Sequence, residues 1–155
     1  MPEGGLTGAP SGMATAVPEA KETPMFAGLL GRWDVRRVIV DHLSGAVNRF
    51  TGTAIISALE FVETGTVRYG SVSLQASRCY RLENRADSLE IAFPDGRAFI
   101  NLDGRASQTV RHLCGDDDYR GRFIFAAADD WIEAWRVNGP RKRYASLARY
   151  HRQDS

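Results

Sequence analysis

From residue 32 onwards, apolar and polar residues alternate in short runs, a pattern typical of β-strands that bury one face. The runs are rich in Val, Ile, Thr, Tyr, Phe and Trp, and turn sequences such as SG, PDG, DG, GDDD and NGP separate them. The pattern predicts about ten strands in series. They cover residues 32–40, 48–59, 61–70, 74–83, 87–93, 97–102, 107–114, 118–127, 131–138 and 142–152.

The links between these runs are short, which limits how the strands can pair. None is long enough for the crossover helix that parallel neighbours require, so consecutive strands are expected to pair antiparallel, as a meander. A sheet of this many strands curls, and closing it removes the exposed edges. We therefore expect an all-β fold, an antiparallel up-and-down barrel.

The N-terminal segment differs in composition from the rest. Residues 1–23 are rich in Gly, Ala, Pro and Thr and have no periodic apolar pattern, which predicts a flexible tail before a single β-barrel domain at residues 24–155. The sequence PMFAGLLG at the start of that domain predicts a short helical turn, because Pro24 suits a first helical position and Gly31 a C-terminal stop.

Charge and composition exclude several classes of partner. Lys and Arg number 20 and Asp and Glu 19, without a block of like charges, so neither nucleic acid nor a membrane is expected as a partner. No stretch has the pattern of a signal peptide or a spanning helix, which predicts a cytoplasmic protein. Cys79 and Cys114 lie in apolar stretches and are expected to be buried, reduced thiols, although a single disulfide stays open.

Gly31, Arg32 and Trp33 form a Gly-x-Trp element at the start of the first strand, and Arg149 lies near the end of the last. With the short helical turn, these features resemble the calycin pattern that lipocalins and fatty-acid-binding proteins share. In those barrels the Trp closes the bottom and the Arg stacks on it. The resemblance therefore implies structural roles for Trp33 and Arg149, with a cation–π contact of about 1 kcal/mol.

Six segments spread over residues 29–152 carry a more specific resemblance. They are GRWDVRR, ASRCYRL, FPDGRAF, HLCGDDDYRG, WRVNGPRKRY and RYHR. Together they resemble an uncharacterised bacterial family of the same superfamily, domain of unknown function 6314. The resemblance implies a calycin-like fold, assigns no reaction and leaves any cofactor unknown.

Strand alternation in ASRCYRL places Arg78 and Tyr80 side by side on one face. A guanidinium offers a planar fork of donors and a phenol a further donor, a combination that suits a carboxylate or phosphate. Fatty-acid-binding proteins hold their ligand's carboxylate with a similar Arg-x-Tyr, which lies nearer the C-terminus there. The alternative is a surface Arg beside a Tyr at the rim.

His112 shares a strand face with Val110 and Cys114, and three roles are open to it. They are contact with a ligand, haem coordination as in the related nitrobindin-type barrels, and a metal pair with Cys114. The chain has few His and Cys residues and no CxxC or HxxxH spacing, so a satisfied interior histidine is favoured and no metal site is expected. The acidic GDDDY lacks the spacing of a calcium loop and predicts a solvated hairpin.

The last hairpin, WIEAWRVNGPRKRY, places two tryptophans and Glu133 on one face of its first strand and Arg136 on the other. The pattern does not fix which face points inward. We expect Arg136 and Tyr144 to point inward, around an anionic head group; the alternative is that the tryptophans fill the core. The predicted ligand-binding residues are then Arg78, Tyr80, His112, Arg136 and Tyr144.

Three functions are compatible with these features. The favoured one is a binding module that holds a small apolar or amphipathic acidic ligand, so that Arg78→Ala weakens binding without unfolding the domain. The second is an enzyme that uses the same pocket with His112 as general acid or base, although the sequence has no nucleophile elbow. The third is a barrel filled by side chains that acts through its surface or as a homodimer.

Overall fold

The computed structural model describes residues 24–154 and contains a strand for each run that the sequence predicts. The predicted tail at residues 1–23 lies outside the described residues. In the described part, no helix has the length and apolar character needed to cross a membrane. The elements are α1 (Pro24–Ala27), β1 (Gly31–Asp41), β2 (Val47–Ile56), β3 (Glu60–Tyr69), β4 (Val72–Asn84), β5 (Ser88–Ala92), β6 (Ala98–Asp103), β7 (Ser107–Cys114), β8 (Asp117–Ala127), β9 (Asp130–Asn138) and β10 (Arg143–Arg152).

The ten strands form one antiparallel sheet in the order β6-β5-β4-β3-β2-β1-β10-β9-β8-β7. The first and last strands pair with each other, with Trp33 opposite Arg152. The edges of the sheet are β6 and β7, which lie side by side at a seam where the rings of Phe99 and His112 have centroids 5.1 Å apart. The structure confirms the predicted up-and-down meander, and the barrel is nearly closed.

Aromatic side chains close the end of the barrel where β1 begins. Trp33 is 1 % exposed, and its Nε1 donates a hydrogen bond to the Leu29 carbonyl at 2.9 Å. Its ring meets that of Trp131 edge-on, and Trp131 stacks on Tyr150 with ring centroids 3.7 Å apart. The short N-terminal segment thus packs against a buried aromatic group that seals this end.

The arginine that accompanies Trp33 is Arg152, so the prediction for Arg149 is wrong. Arg152 Cζ lies 4.3 Å from the centroid of the Trp33 ring. The Arg149 side chain is 72 % exposed. Side chains alternate along a strand, and because Tyr150 points into the barrel, Arg152 falls on its face and Arg149 on the opposite one.

Both cysteines are free, and only one of them is sheltered from solvent. Cys79 is half-buried, whereas Cys114 is exposed. The prediction of two buried thiols is therefore wrong for Cys114, because this residue ends β7 and lies beyond the packed interior.

Candidate functional site

Five polar side chains meet inside the barrel, between its open and closed ends. Three of them are almost fully buried: Glu63 is 1 % exposed, Glu133 4 % and Tyr150 0 %. Arg37 and Arg78 contact them and are themselves largely buried. We call these five residues the buried ion cluster. Charges at this depth are costly unless each is paired, so the pairing decides whether the cluster is stable.

The register of the strands brings these side chains together. Arg78 on β4 lies directly opposite Glu63 on β3, so two cross-strand neighbours carry opposite charges. Arg37 on β1 and Glu133 on β9 both lie opposite Ala148 on β10, one from each side. The short side chain of Ala148, which is fully buried, leaves room for the two charged groups beside it.

The two arginines share the two carboxylates between them. Arg37 donates from Nη1 to Glu63 Oε2 at 2.8 Å and from Nη2 to Glu63 Oε1 at 3.0 Å, a bidentate pair. Arg78 donates from Nε to Glu63 Oε2 at 3.0 Å and from Nη2 to Glu133 Oε1 at 2.9 Å. Arg78 therefore bridges the carboxylates and fixes them relative to each other.

Tyr150 and Trp135 complete the network. The Tyr150 hydroxyl lies 2.7 Å from Glu63 Oε1 and 2.9 Å from Glu133 Oε1, and it accepts hydrogen bonds from both arginines. Its single hydrogen serves one carboxylate at a time. Trp135 donates from Nε1 to Glu133 Oε2 at 2.6 Å. With both carboxylates ionised, the charges of the cluster cancel.

The pairing keeps both carboxylates ionised in the interior. Burial alone would raise the pKa of Glu133, but the charges of Arg78 and Arg37 outweigh burial and lower the pKa from 4.5 to about 2. Burial would also raise the pKa of Glu63, but the hydrogen bond from Arg37 and the charge of Arg78 bring this pKa below its ordinary value. Burial and the Glu133 charge raise the pKa of Tyr150 well above its ordinary value, so its hydroxyl stays protonated.

The depressed pKa of Glu133 makes stability depend on pH in acid. Below 4.5 the unfolded chain binds a proton that the folded protein does not bind until about pH 2, so stabilisation present above pH 4.5 is lost as the pH falls through this window. We expect the loss from this group to total about 3 kcal/mol. Urea unfolding of the wild type and Glu133→Gln at about pH 6 and about pH 3 measures the part of this loss that falls above pH 3, about 2 kcal/mol. The variant should lose less stability than the wild type, and equal losses would contradict the assignment.

An open pocket lies at the end of the barrel opposite Trp33, beside the β1–β2 and β9–β10 turns. Its volume is about 410 Å³. We call it the mouth pocket. Its aromatic lining consists of Tyr80, Phe99, Tyr119, Trp135 and Tyr144, and its cationic lining of Arg37, Arg78, Arg141, Lys142 and Arg143. A concave apolar surface with a few convergent polar groups is typical of a site for a small organic ligand.

The glycine at position 121 makes part of this lining possible. A Cβ atom at Gly121 would lie 2.8 Å from the indole ring of Trp135, closer than packed atoms approach. The absence of a side chain thus lets Trp135 lie against β8, where it contacts Glu133 and lines the mouth pocket.

The rim of the mouth pocket is positively charged. Lys142 donates to the Tyr119 hydroxyl at 3.0 Å and lies 3.6 Å from Asp117. Arg141 and Arg143 form no ion pair with any residue of the described range 24–154. Asp41 is the single carboxylate of the lining. Since the buried carboxylates already balance the two interior arginines, the uncompensated charge lies at the rim.

The closed half of the barrel, by contrast, is packed. A cavity of only about 50 Å³ lies there, among aliphatic and aromatic side chains. Arg78, Tyr80 and Phe99 line both this cavity and the mouth pocket, so they form the partition between the two. Room for a ligand is therefore found in the open half.

Three of the five predicted ligand-binding residues meet at the mouth pocket: Arg78, Tyr80 and Tyr144. Arg78 and Tyr80 both line the mouth pocket, and Arg78 donates to the buried Glu133, so this pair points into the barrel and is not a surface pair. His112 lies behind the lining, where its ring packs against Phe99 at the seam. The roles of the predicted residues in ligand binding stay predictions.

Arg136 points away from the pocket, and the prediction that it points inward is wrong. On β9 the buried positions include Trp135 and Val137, so Arg136 lies on the exposed face. Directly paired residues of neighbouring strands share a face, and Tyr144 is opposite Val137 whereas Arg136 is opposite Ala145. Arg136 and Tyr144 therefore cannot both point inward.

Sequence reasoning missed four members of the buried ion cluster: Arg37, Glu63, Glu133 and Tyr150. The available signal was a charge on the apolar face of a strand. Glu63 lies two residues from Phe61, and Glu133 lies between Trp131 and Trp135. A carboxylate at such a position needs a buried cation, and only the three-dimensional arrangement shows which arginines supply it.

Comparison with known proteins identifies a family and solved structures of similar fold. A family model described as "Family of unknown function (DUF6314)" matches residues 29–152. No curated protein matches the chain. The S-type phycobiliprotein lyase CPES from Guillardia theta has a TM-score of 0.59 and 11% identity, over 84% of this chain and 92% of that one. A DUF3598 family protein of unknown function from Nostoc punctiforme has a TM-score of 0.55 and 12% identity, over 89% of this chain and 53% of that one. At these identities the likeness is one of fold.

Proposed function

The chain belongs to the family of unknown function DUF6314, and on this premise we propose that it binds a small amphipathic molecule with an acidic group in the mouth pocket. One observation carries the proposal: an aromatic lining lies below rim arginines that have no carboxylate partner among residues 24–154. An apolar body with a negative group matches both features at once.

The arrangement of the lining suggests how such a ligand would lie. Its apolar part contacts the rings of Phe99 and Trp135 at the base of the pocket, and its acidic group lies near Arg141 and Arg143 at the rim. Arg78 is a weaker anchor than the sequence indicated, because its Nε and Nη2 are occupied by the buried carboxylates. The head group is thus expected at the rim.

Two fluorescent probes that share a ring system test this proposal. 1-Anilinonaphthalene-8-sulfonate is anionic, and N-phenyl-1-naphthylamine lacks the sulfonate. We expect the double variant Arg141→Gln with Arg143→Gln to bind the sulfonate about fivefold more weakly, because two exposed charge contacts are lost. Its affinity for the neutral probe should stay within about twofold of the wild type. Fluorescence titration of both probes gives these values.

Two further variants serve as controls. Arg36→Gln removes one positive charge from the outer face of β1 and should leave both affinities unchanged. Ser146→Phe places a ring in the pocket lining and should weaken both probes. If the sulfonate binds the rim double variant and Ser146→Phe as tightly as it binds the wild type, the mouth pocket is not the binding site.

A further inference from the structure

The outer face of the barrel carries a row of like charges across three neighbouring strands, away from the mouth pocket. Arg111 on β7 is directly opposite Arg120 on β8, and Arg120 is directly opposite Arg136 on β9. Arg122 follows on the same face of β8. Like charges in directly paired positions of a sheet destabilise it. Packing does not explain this row, since all these side chains lie on the solvent side.

These four arginines surround an open depression of about 750 Å³. Its floor includes Ala134, which is opposite Arg122, and Ala145, which is opposite Arg136. Alanine side chains are too short to cover the sheet between the arginines, so the guanidinium groups form the walls of the depression. We call it the arginine groove, defined by Arg111, Arg120, Arg122, Arg136, Ala134 and Ala145.

One carboxylate organises part of the groove without neutralising it. Arg111 donates from Nε and Nη2 to the two carboxylate oxygens of Asp118, at 2.9 and 3.1 Å, and Arg120 donates from Nε to Asp118 Oδ2 at 3.1 Å. Neither terminal nitrogen of Arg120 makes a hydrogen bond within residues 24–154, and Arg136 forms no ion pair in this range. Two of the four arginines thus pair with one carboxylate, and several donors of the groove are unused.

We propose that the arginine groove binds a ligand that carries two or three linked phosphates. The guanidinium fork matches the oxygens of a phosphate in pairs. The groove has an excess of three positive charges. A short phosphate chain carries enough negative charge in one small molecule to balance them, whereas a ligand with a single carboxylate does not. Such a ligand would also remove the repulsion along the row, which the protein otherwise bears as a cost in stability. This site is independent of the mouth pocket.

Inorganic tripolyphosphate is the probe that tests the proposal. We expect isothermal titration calorimetry of the full chain at low ionic strength to show saturable binding of one molecule. The double variant Arg120→Gln with Arg136→Gln should bind at least about tenfold more weakly, because two charge-assisted contacts are lost. Orthophosphate should bind the wild type at least about tenfold more weakly than tripolyphosphate, because it spans fewer of the arginines.

A matched pair of arginines elsewhere on the barrel controls for net charge. Arg49 on β2 lies directly opposite Arg68 on β3, and both are exposed. Arg49→Gln with Arg68→Gln removes the same charge and should keep the wild-type affinity. Equal weakening in the two double variants, or wild-type affinity in both, would overturn the proposal.

Thermal denaturation without phosphate separates a binding role from a structural one. Arg136→Gln relieves repulsion with Arg120, so its melting temperature at low ionic strength should equal or exceed that of the wild type. Tripolyphosphate should then raise the melting temperature of the wild type more than that of the variant. A lower melting temperature for Arg136→Gln without phosphate would show that this arginine stabilises the fold and would argue against the proposed site.

Discussion

Replacement of Glu133 by alanine is expected to lower the free energy of unfolding by about 3 to 5 kcal/mol. The substitution removes the carboxylate that accepts from Arg78 at 2.9 Å and from the Trp135 indole at 2.6 Å. Both donors then stay inside the barrel without that acceptor, and the cluster carries an unbalanced positive charge. Urea unfolding near neutral pH, followed by circular dichroism, measures the loss.

Glu83→Ala is the matched control for this substitution. The Glu83 side chain is 65 % exposed and lies 3.4 Å from Arg85, so its removal should cost less than about 1 kcal/mol. Glu133→Gln keeps the shape of the side chain but not its charge, and a loss close to that of Glu133→Ala would identify charge balance as the main cause. A loss no larger than that of Glu83→Ala would show that the buried ion cluster does not need Glu133.

Replacement of Trp33 by alanine is the second change expected to cost about 3 to 5 kcal/mol. Trp33 is 1 % exposed, and alanine would leave a cavity at the closed end of the barrel. The Leu29 carbonyl would lose its indole donor, and Arg152 would lose the ring that it covers at 4.3 Å. Equilibrium unfolding in urea measures the change, and Trp33→Phe should lose less because it keeps much of the buried area.

Arg149 and Arg152, near the end of β10, allow a direct comparison at this end of the barrel. Arg152→Ala removes a contact with the indole face and should cost about 1 kcal/mol. Arg149→Ala removes a side chain that is 72 % exposed and should cost less than about 0.5 kcal/mol. If Arg149→Ala were the more destabilising of the two, the assignment of Arg152 to Trp33 would be contradicted.

The fold was readily predicted from the sequence because each strand carries its own local signal. A sheet with one solvated face alternates apolar and polar residues, and short polar turns mark the strand ends. The strand β9, for example, begins and ends within a residue or so of its predicted range. The face of β9 was harder to predict, because a tryptophan and an arginine both have precedents in a barrel interior. The pairing of Tyr144 with Val137, which settles that question, is a property of the neighbouring strand.

The candidate site was only partly predictable because it depends on distant residues. Arg78 and Tyr80 are two residues apart on one strand, and alternation alone places them side by side on one face. The carboxylates that occupy Arg78 come from β3 and β9, and no local pattern links them to it. The expectation that Arg78→Ala leaves the fold intact changes accordingly, since this variant would leave Glu63 and Glu133 underpaired in the interior. The sequence did not predict the arginine groove for the same reason. Its charges come from three strands, and the net charge of the whole chain is only +1.

The order of strands in the sheet also divides the molecule into two complementary halves. Strands β1 to β6 and β7 to β10 are each a run of hairpins. The pairing of β1 with β10, in which Asp34 lies directly opposite His151, joins the two runs across a long stretch of chain. The first half brings two arginines and one glutamate to the buried ion cluster, and the second half brings one glutamate. Neither half is neutral alone, so the interior charges are balanced only when the two halves are paired. The buried ion cluster thus stabilises the pairing of β1 with β10, which has the largest sequence separation in the sheet and therefore the largest entropy cost of closure.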